Sequence, residues 1–252
     1  MVAIGSQSDT SKIPQWQFRE MQPGEMNVDP IEGEFFTTEA IGSITDALVR
    51  ESIQNSLDAA AGGGPVMVRF SFFSGPGKDS DQIRNLYMDG LVPHLEARHS
   101  GLQEAPSRSA GLDYILIEDF GTRGLQGDIY QYDDLEDDEK RNDFYYFWRN
   151  IGRTRKESTD LGRWGLGKTV FQAASRINSF FGLTVREDDS RKLLMGQCVL
   201  RIHKVNGKRY SPYGYFGAFD QNLALPIEDS EYIEAFSEHF AVDRSDQPGR
   251  AS

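Results

Sequence analysis

Three polar residues fall on one side of a predicted helix, and their types suit metal-assisted chemistry. The helix is predicted over residues 41–60 (IGSITDALVRESIQNSLDAA), and Glu51, Asn55 and Asp58 lie within about 60° of each other at 3.6 residues per turn. A carboxylate can orient or deprotonate a water molecule, and an amide oxygen one turn further on can ligate a divalent cation that bridges phosphates. By itself, such a pattern is more often a solvated helix face.

The same helix carries an apolar side. Val49, Ile53 and Leu57 recur at helical spacing opposite the polar residues, which predicts that they pack against a sheet. Carboxylates on a core helix need a partner or a ligand. The run GGGP at residues 62–65 is a strong stop signal, so we expect the helix to end there.

Hydrophobic periodicity predicts the elements around this helix. Residues 66–73 alternate between apolar and polar types, and residues 114–119 form a short apolar run typical of a central strand. Further strands are expected at residues 16–21, 180–186 and 193–205, and helices at residues 83–97, 169–177 and 232–240. The polar residues 127–161 are expected to form a long loop with a helical turn inside it.

Two glycine motifs follow the helix in the chain. The first, DFGTRG at residues 119–124, begins at the end of a predicted strand, and the second, GRWGLGK at residues 162–168, leads into a predicted helix. Glycine lets the backbone approach a ligand closely. The N–H groups at the start of a helix favour phosphate. Each motif is a weak signal alone, but the two motifs and the polar helix in this order are fairly specific.

In this order, the pattern Glu51-x3-Asn55-x2-Asp58 and the two glycine motifs resemble the GHKL ATPase superfamily, with its Bergerat ATP-binding fold. That superfamily includes type II topoisomerase ATPase subunits, ninety-kilodalton heat-shock chaperones, MutL and MORC proteins and histidine kinases. The resemblance covers about residues 35–205. It implies an α/β (α+β) two-layer sandwich with a mixed, mostly antiparallel sheet, helices on one face, and ATP between the helices and a lid at about residues 125–165.

The resemblance also implies Mg²⁺-dependent ATP binding and hydrolysis. Glu51 would activate the attacking water, Asn55 would hold Mg²⁺, and Asp119 would accept a hydrogen bond from the adenine amino group. The residues implied to bind the nucleotide are Asn55, Asp58, Asp119, Gly121, Gly124, Gly162, Gly165, Leu166, Gly167, Lys168 and Thr169. The first glycine motif is one residue longer than the family's D-x-G-x-G, which predicts a differently shaped loop around the adenine.

Other interpretations stay open. Asp119 could cap a turn at a strand end, and Lys168 could be a solvated surface lysine. Residues 162–169 also fit the P-loop pattern G-x4-G-K-T, but a P-loop follows directly on a buried strand, and residues 149–161 are too charged for one. The competing functions are a non-hydrolysing module in which ATP stabilises a protein–protein interface, and a nucleic-acid-handling protein that uses the basic residues 149–156.

Composition limits the partners and the compartment. The 252 residues carry a net charge of −12, which argues against a general nucleic-acid-binding surface. The single cysteine, Cys198, cannot form an intramolecular disulfide and favours a reducing, cytoplasmic location. No apolar stretch has the length of a membrane span, and the N-terminus lacks the pattern of a secretory signal.

The expected organisation has three parts. These are an N-terminal arm (residues 1–34), the ATP-binding domain (residues 35–205) and an extension (residues 206–252) that leads to a second domain or depends on a partner protein. The resemblance further implies a homodimer that forms on ATP binding, with the arm as the exchanged segment.

Overall fold

The computed structural model describes residues 13–31, 43–74, 80–104, 106, 111–134, 142–150 and 167–243. Three of the predicted nucleotide-binding residues in the second glycine motif, Gly162, Gly165 and Leu166, therefore lie outside the described residues. The same holds for part of the predicted lid.

Eight strands and six α-helices are present in the described residues. The helices are α1 (Ile44–Asp58), α2 (Ser80–Met88), α3 (Val92–Leu95), α4 (Asp143–Trp148), α5 (Val170–Ala173) and α6 (Ser230–His239). The strands are β1 (Gln15–Glu20), β2 (Met67–Phe73), β3 (Tyr114–Phe120), β4 (Ser179–Val185), β5 (Lys192–Val199), β6 (His203–Val205), β7 (Lys208–Asp220) and β8 (Leu223–Leu225). None of the described helices is long and apolar enough to cross a membrane.

Two predicted elements are divided in the structure. The helix predicted at residues 83–97 becomes α2 and α3, because Gly90 interrupts it and a proline lies in the first turn of α3. The strand predicted at residues 193–205 becomes β5 and β6. The helix predicted at residues 169–177 is shorter than expected. It consists of the four residues of α5, which follow directly on a 3₁₀ turn at Gly167–Thr169.

The strands form two sheets in which every described ladder is antiparallel. The larger sheet has the order β1-β7-β5-β4, with β6 and β8 also paired to β7, and the smaller sheet consists of β2 and β3. The register of the smaller sheet pairs Val68 with Asp119 and Phe70 with Ile117, so these side chains share one face. The predicted α+β sandwich with mostly antiparallel strands is confirmed.

Strand β7 lies inside the larger sheet, with β1 on one side and β5 on the other. The predicted domain boundaries at residues 34 and 205 separate β1 and β7 from β4 and β5, which belong to the same sheet. Glycines lower the strand propensity of β7, which is why its sequence did not predict a core strand. One of them, Gly214, makes room for the Phe18 ring of β1 in the space that a β-carbon would occupy.

Alternate residues of β5 contact different helices. Leu194 and Cys198 belong to a core that includes residues of α2, α3 and α6, whereas Leu193 and Met195 pack with Trp148 of α4. Because successive strand residues point to opposite faces, helices cover both faces of the larger sheet. The structure thus adds to the expected arrangement a helix from the predicted lid, α4, on the second face.

The predicted buried side of α1 is wrong. This side is exposed instead: Val49 is 39% exposed, Ile53 41% and Leu57 54%. The side that is buried contains Leu48, Ser52 and Ser56, and it faces α5 and β3. The two serine hydroxyls donate to the carbonyls of Leu48 (2.6 Å) and Ser52 (2.9 Å), so these small polar groups are buried with their hydrogen bonds made within the helix.

Candidate functional site

A capping box fixes the start of α1. The Ser43 hydroxyl accepts a hydrogen bond from the Asp46 backbone N–H (3.1 Å), and the Asp46 carboxylate accepts one from the Ser43 N–H (3.2 Å). The helix therefore begins about two turns before Glu51. Glu51 and Asn55 are half-buried on the same side as the serines, while Asp58 is exposed at the last residue of the helix.

One cleft brings the three motifs together. Its lining includes the following predicted site residues: Glu51, Asn55, Asp58, Asp119, Gly124, Gly167 and Lys168. Gly121 is part of the loop after β3, and Thr169 is buried at the start of α5; neither is among the described residues that line the cleft.

The loop after β3 is fixed to the chain that leaves α1. Ala61 N–H donates to the Gly121 carbonyl (3.0 Å), and Arg123 N–H donates to the Ala59 carbonyl (2.9 Å). Gly121 has φ = +78°, and a β-carbon there would stand 2.6 Å from the Pro65 carbonyl oxygen. A left-handed backbone and this close approach both require glycine. The first two motifs are therefore joined by backbone hydrogen bonds.

Gly124 connects the same loop to the end of β4. It has φ = +71° and lies directly against the Val185 carbonyl oxygen, and the next residue, Leu125, donates its N–H to the Thr184 hydroxyl (2.9 Å). Thr184, which lines the cleft beside Gly124, was not predicted as a site residue. Its only sequence signal is a hydroxyl near the end of a strand that is mostly apolar after Ser179.

Two consecutive acids of β3 face in opposite directions. Asp119 shares a face with Ile117, which packs against α1 and α5, so the half-buried Asp119 carboxylate is on the cleft side. Glu118 is on the other face, where it accepts hydrogen bonds from Arg69 Nε (2.9 Å) and from the Asp243 N–H (2.9 Å). The strand thus presents its two acids to opposite faces and uses Glu118 in a structural ion pair.

Glu51 connects the first motif to the turn before α5. Arg50 donates two hydrogen bonds, from Nε and Nη2, to Glu51 Oε1, both at 3.2 Å. The other carboxylate oxygen, Oε2, lies so close to Gly167 that a β-carbon at that position would overlap it. A glycine at 167 is therefore required for the carboxylate to lie against the backbone of the second glycine motif.

Asn55 carries an unpaired polar group. Its Nδ2 atom is buried and has no hydrogen-bond partner among the described residues. A buried donor without a partner costs about 1–3 kcal/mol, so this amide is in a position that a ligand would improve. A half-turn of the amide about the Cβ–Cγ bond would exchange nitrogen for oxygen and offer an acceptor to a cation. The described residues contain no group of three or more His, Cys, Asp or Glu side chains that could hold a metal by themselves.

Lys168 is partly buried, so its interpretation as a solvated surface lysine is wrong. Its ammonium donates to the backbone carbonyls of Tyr146 and Asn150, at the C-terminal end of α4. Burial lowers the pKa of this ammonium to about 7. A cation with a lowered pKa that lines a cleft is a candidate functional group.

Arg123 is a second cation that the motifs did not single out. It donates from Nη1 to the Asp58 carbonyl (3.2 Å), and from Nε and Nη2 to the Asp143 carboxylate (3.3 Å each). It therefore joins the end of α1 to the start of α4. A sequence signal for Arg123 does exist, because it lies in the loop that is one residue longer than D-x-G-x-G.

Comparison of the chain with protein-family models, with curated proteins and with solved structures finds no match in any of the three. The functional interpretation therefore depends on the chemistry of the cleft. The residues that would precede a P-loop lie outside the described residues, so that alternative stays a prediction.

Proposed function

We propose that the cleft binds Mg-ATP and hydrolyses it slowly, in the manner of a GHKL-type ATPase domain. One observation carries the proposal. The polar side of α1, the loop after β3 and the turn at Gly167 line one cleft although they lie far apart in the chain, and the cleft contains a buried, unpartnered amide at Asn55. A bound ligand would explain why three separate segments converge on an unsatisfied polar group.

The base end of the nucleotide would lie at β3. Asp119 is a half-buried acceptor on the cleft side of this strand, which suits a hydrogen bond from an exocyclic amino group. Next to it, Ile117 and Phe171 supply apolar surface, and Phe171 lies near the ring of Phe180 with a centroid distance of 5.6 Å. An acceptor beside apolar walls favours a purine that carries an amino group over one that carries a carbonyl at the same position.

The phosphate end would lie between α1 and the turn at Gly167. Lys168 and Arg123 line this part of the cleft, as does Arg50 beside Glu51. Lys168 now bonds to backbone carbonyls that a phosphate would outcompete, whereas Arg123 also pairs with the Asp143 carboxylate. Asn55 would contribute its amide oxygen to Mg²⁺, which keeps most of its remaining ligands as water and phosphate oxygens. Bound Mg²⁺ would neutralise charge on the phosphates.

Glu51 would handle the attacking water. Arg50 holds Oε1 with two hydrogen bonds, and Oε2, which accepts none from the described residues, would orient a water and take its proton. Oε2 is also the atom that lies against Gly167. The proton acceptor is therefore fixed next to the backbone that would hold the terminal phosphate.

Calorimetric titration of Mg-ATP tests the binding site. Asp119→Asn should weaken binding about 10- to 100-fold, since a hydrogen bond to a charged group contributes about 1.5–3 kcal/mol. Asp220→Asn is the matched control, because Asp220 is an exposed aspartate at the end of β7. Affinity that is unchanged in Asp119→Asn but lost in Lys168→Ala would favour the P-loop alternative.

Turnover of ATP tests the role of Glu51. Glu51→Gln preserves the size of the side chain and removes the base, so hydrolysis should fall about 100-fold or more while Mg-ATP binding is retained. If the wild-type protein binds Mg-ATP and associates in its presence without any turnover, the non-hydrolysing interaction module is the better interpretation.

A further inference from the structure

Lys168 bonds to the C-terminal end of α4. Helix α4 ends at Trp148, and its last carbonyls carry the negative end of the helix dipole. The Lys168 ammonium donates to two of the carbonyls at this end, those of Tyr146 and Asn150. Lys168 therefore caps the C-terminal end of α4 from the turn at Gly167, a different element of the fold.

Other hydrogen bonds hold α4 from elements other than the turn at Gly167. The Trp148 carbonyl accepts hydrogen bonds from the Tyr215 hydroxyl (3.1 Å) and from Gln197 Nε2 (3.4 Å), both on the larger sheet. At the other end of the helix, Asp143 is held by Arg123. Lys168 is thus the cap that reaches α4 directly from the turn at Gly167.

The ammonium is poorly compensated where it lies. Its described partners are neutral carbonyls, and burial lowers its pKa to about 7. A phosphate oxygen carries a full negative charge and makes a shorter, stronger hydrogen bond to an ammonium than a peptide carbonyl does. A nucleotide in the cleft would therefore compete for Lys168 on favourable terms.

We propose that Lys168 couples nucleotide binding to α4: without nucleotide it caps the C-terminal end of this helix, and the phosphates of a bound nucleotide withdraw it and release that end. This inference rests on the proposed function. Arg123 still joins Asp143 to the end of α1, so the start of α4 stays held. The Arg149 guanidinium also stays bonded to the carbonyls of Ile129, Gln131 and Ala224, so the release is confined to the backbone of the C-terminal turn. By linkage, anything that stabilises the capped turn must weaken nucleotide binding by the same factor.

Hydrogen exchange of the wild-type protein, measured with and without saturating Mg-ATP, tests the coupling. The Arg149 amide donates to the Tyr145 carbonyl (2.9 Å) in the last turn of α4, so peptides that cover residues 145–150 report the capped end. Mg-ATP should speed their exchange about tenfold, which corresponds to the loss of one or two hydrogen bonds. Peptides from α1 should exchange more slowly, and peptides from α6 should not change.

Lys168→Met provides the second measurement. In this variant the C-terminal turn of α4 should exchange about tenfold faster without nucleotide and should not respond further to Mg-ATP. If calorimetry shows that Mg-ATP binds the wild type while exchange at residues 145–150 is unchanged or slower, the coupling is overturned and the proposed function stands. If Mg-ATP does not bind at all, both are overturned. The wild-type measurement decides the question even if the variant does not fold.

Discussion

Lys168→Met is expected to stabilise the fold at low and neutral pH. Burial lowers the pKa of Lys168 from 10.5 to about 7, and each pH unit corresponds to about 1.4 kcal/mol, so the protonated side chain costs about 5 kcal/mol at pH 6. Methionine fills similar space without charge. It leaves two carbonyls without their donor, at about 1 kcal/mol each, so the net gain in the free energy of unfolding is about 3 kcal/mol.

The sign of the pH dependence is fixed by linkage. Between pH 7 and 10.5 the unfolded chain binds a proton on Lys168 that the folded protein does not, so wild-type stability from this group rises with pH in that window. The advantage of the methionine variant should therefore shrink by about 3 kcal/mol between pH 6 and pH 9.5. This gain in global stability is compatible with a looser end of α4, because local openings differ from global unfolding.

Urea denaturation of both proteins at pH 6 and pH 9.5 measures this difference. Lys204→Met is the matched control, because Lys204 is exposed on β6 and its replacement also removes one positive charge. A stability difference between wild type and Lys168→Met that stays constant across the two pH values would refute the reasoning. So would a wild type that is the more stable protein at pH 6.

Three further predictions concern stability. Gly121→Ala should lower the free energy of unfolding by about 2 kcal/mol, because Gly121 has a positive φ and an added β-carbon would stand 2.6 Å from a carbonyl oxygen. Gly63→Ala is the control, since nothing lies within 4 Å of its added β-carbon, and it should change the free energy of unfolding by less than about 0.5 kcal/mol. Equal effects of the two variants in urea denaturation would contradict the loop geometry. Leu48→Ala should cost about 3 kcal/mol and the exposed Leu57→Ala less than about 1 kcal/mol, and the reverse order would restore the sequence-based prediction for α1. Burial and a neighbouring histidine lower the pKa of His94 from 6.5 to about 4, so between these pH values the unfolded chain binds a proton that the folded protein does not. The free energy of unfolding should therefore fall by about 3 kcal/mol as the pH drops from 6.5 to 4. In His94→Asn this fall should be clearly smaller in the same denaturation series.

Much of the fold was predictable because several strands carry strong local signals. The clean alternation at residues 66–73 and the apolar run at residues 114–119 correspond to β2 and β3. The buried side of α1 was not predictable from spacing alone. Two of its buried positions are serines whose hydroxyls bond within the helix, and such residues carry no hydrophobic signal.

The site was predictable to the extent that its residues lie in ordered motifs. The motifs identified Glu51, Asn55 and Asp119, and the structure brings these residues to one cleft. Arg123 and Thr184 were not identified, because their positions depend on where the loop after β3 meets α4 and β4. Contacts of this kind follow from tertiary packing, which a single sequence does not reveal.

Two groups in the cleft lower the stability of the fold that contains them. Asn55 has a buried amide nitrogen without a described partner, and Lys168 holds a buried ammonium against neutral carbonyls. Neither is explained by packing, since an apolar side chain of similar size would fit each position at lower cost. A single anionic ligand with a bound cation would satisfy both groups at once. Its oxygens would accept from the ammonium and from the amide nitrogen, or, after a half-turn of the amide, its cation would take the amide oxygen. Local rules of folding are most often broken where a protein binds something, and here both departures occur in the same cleft as Glu51.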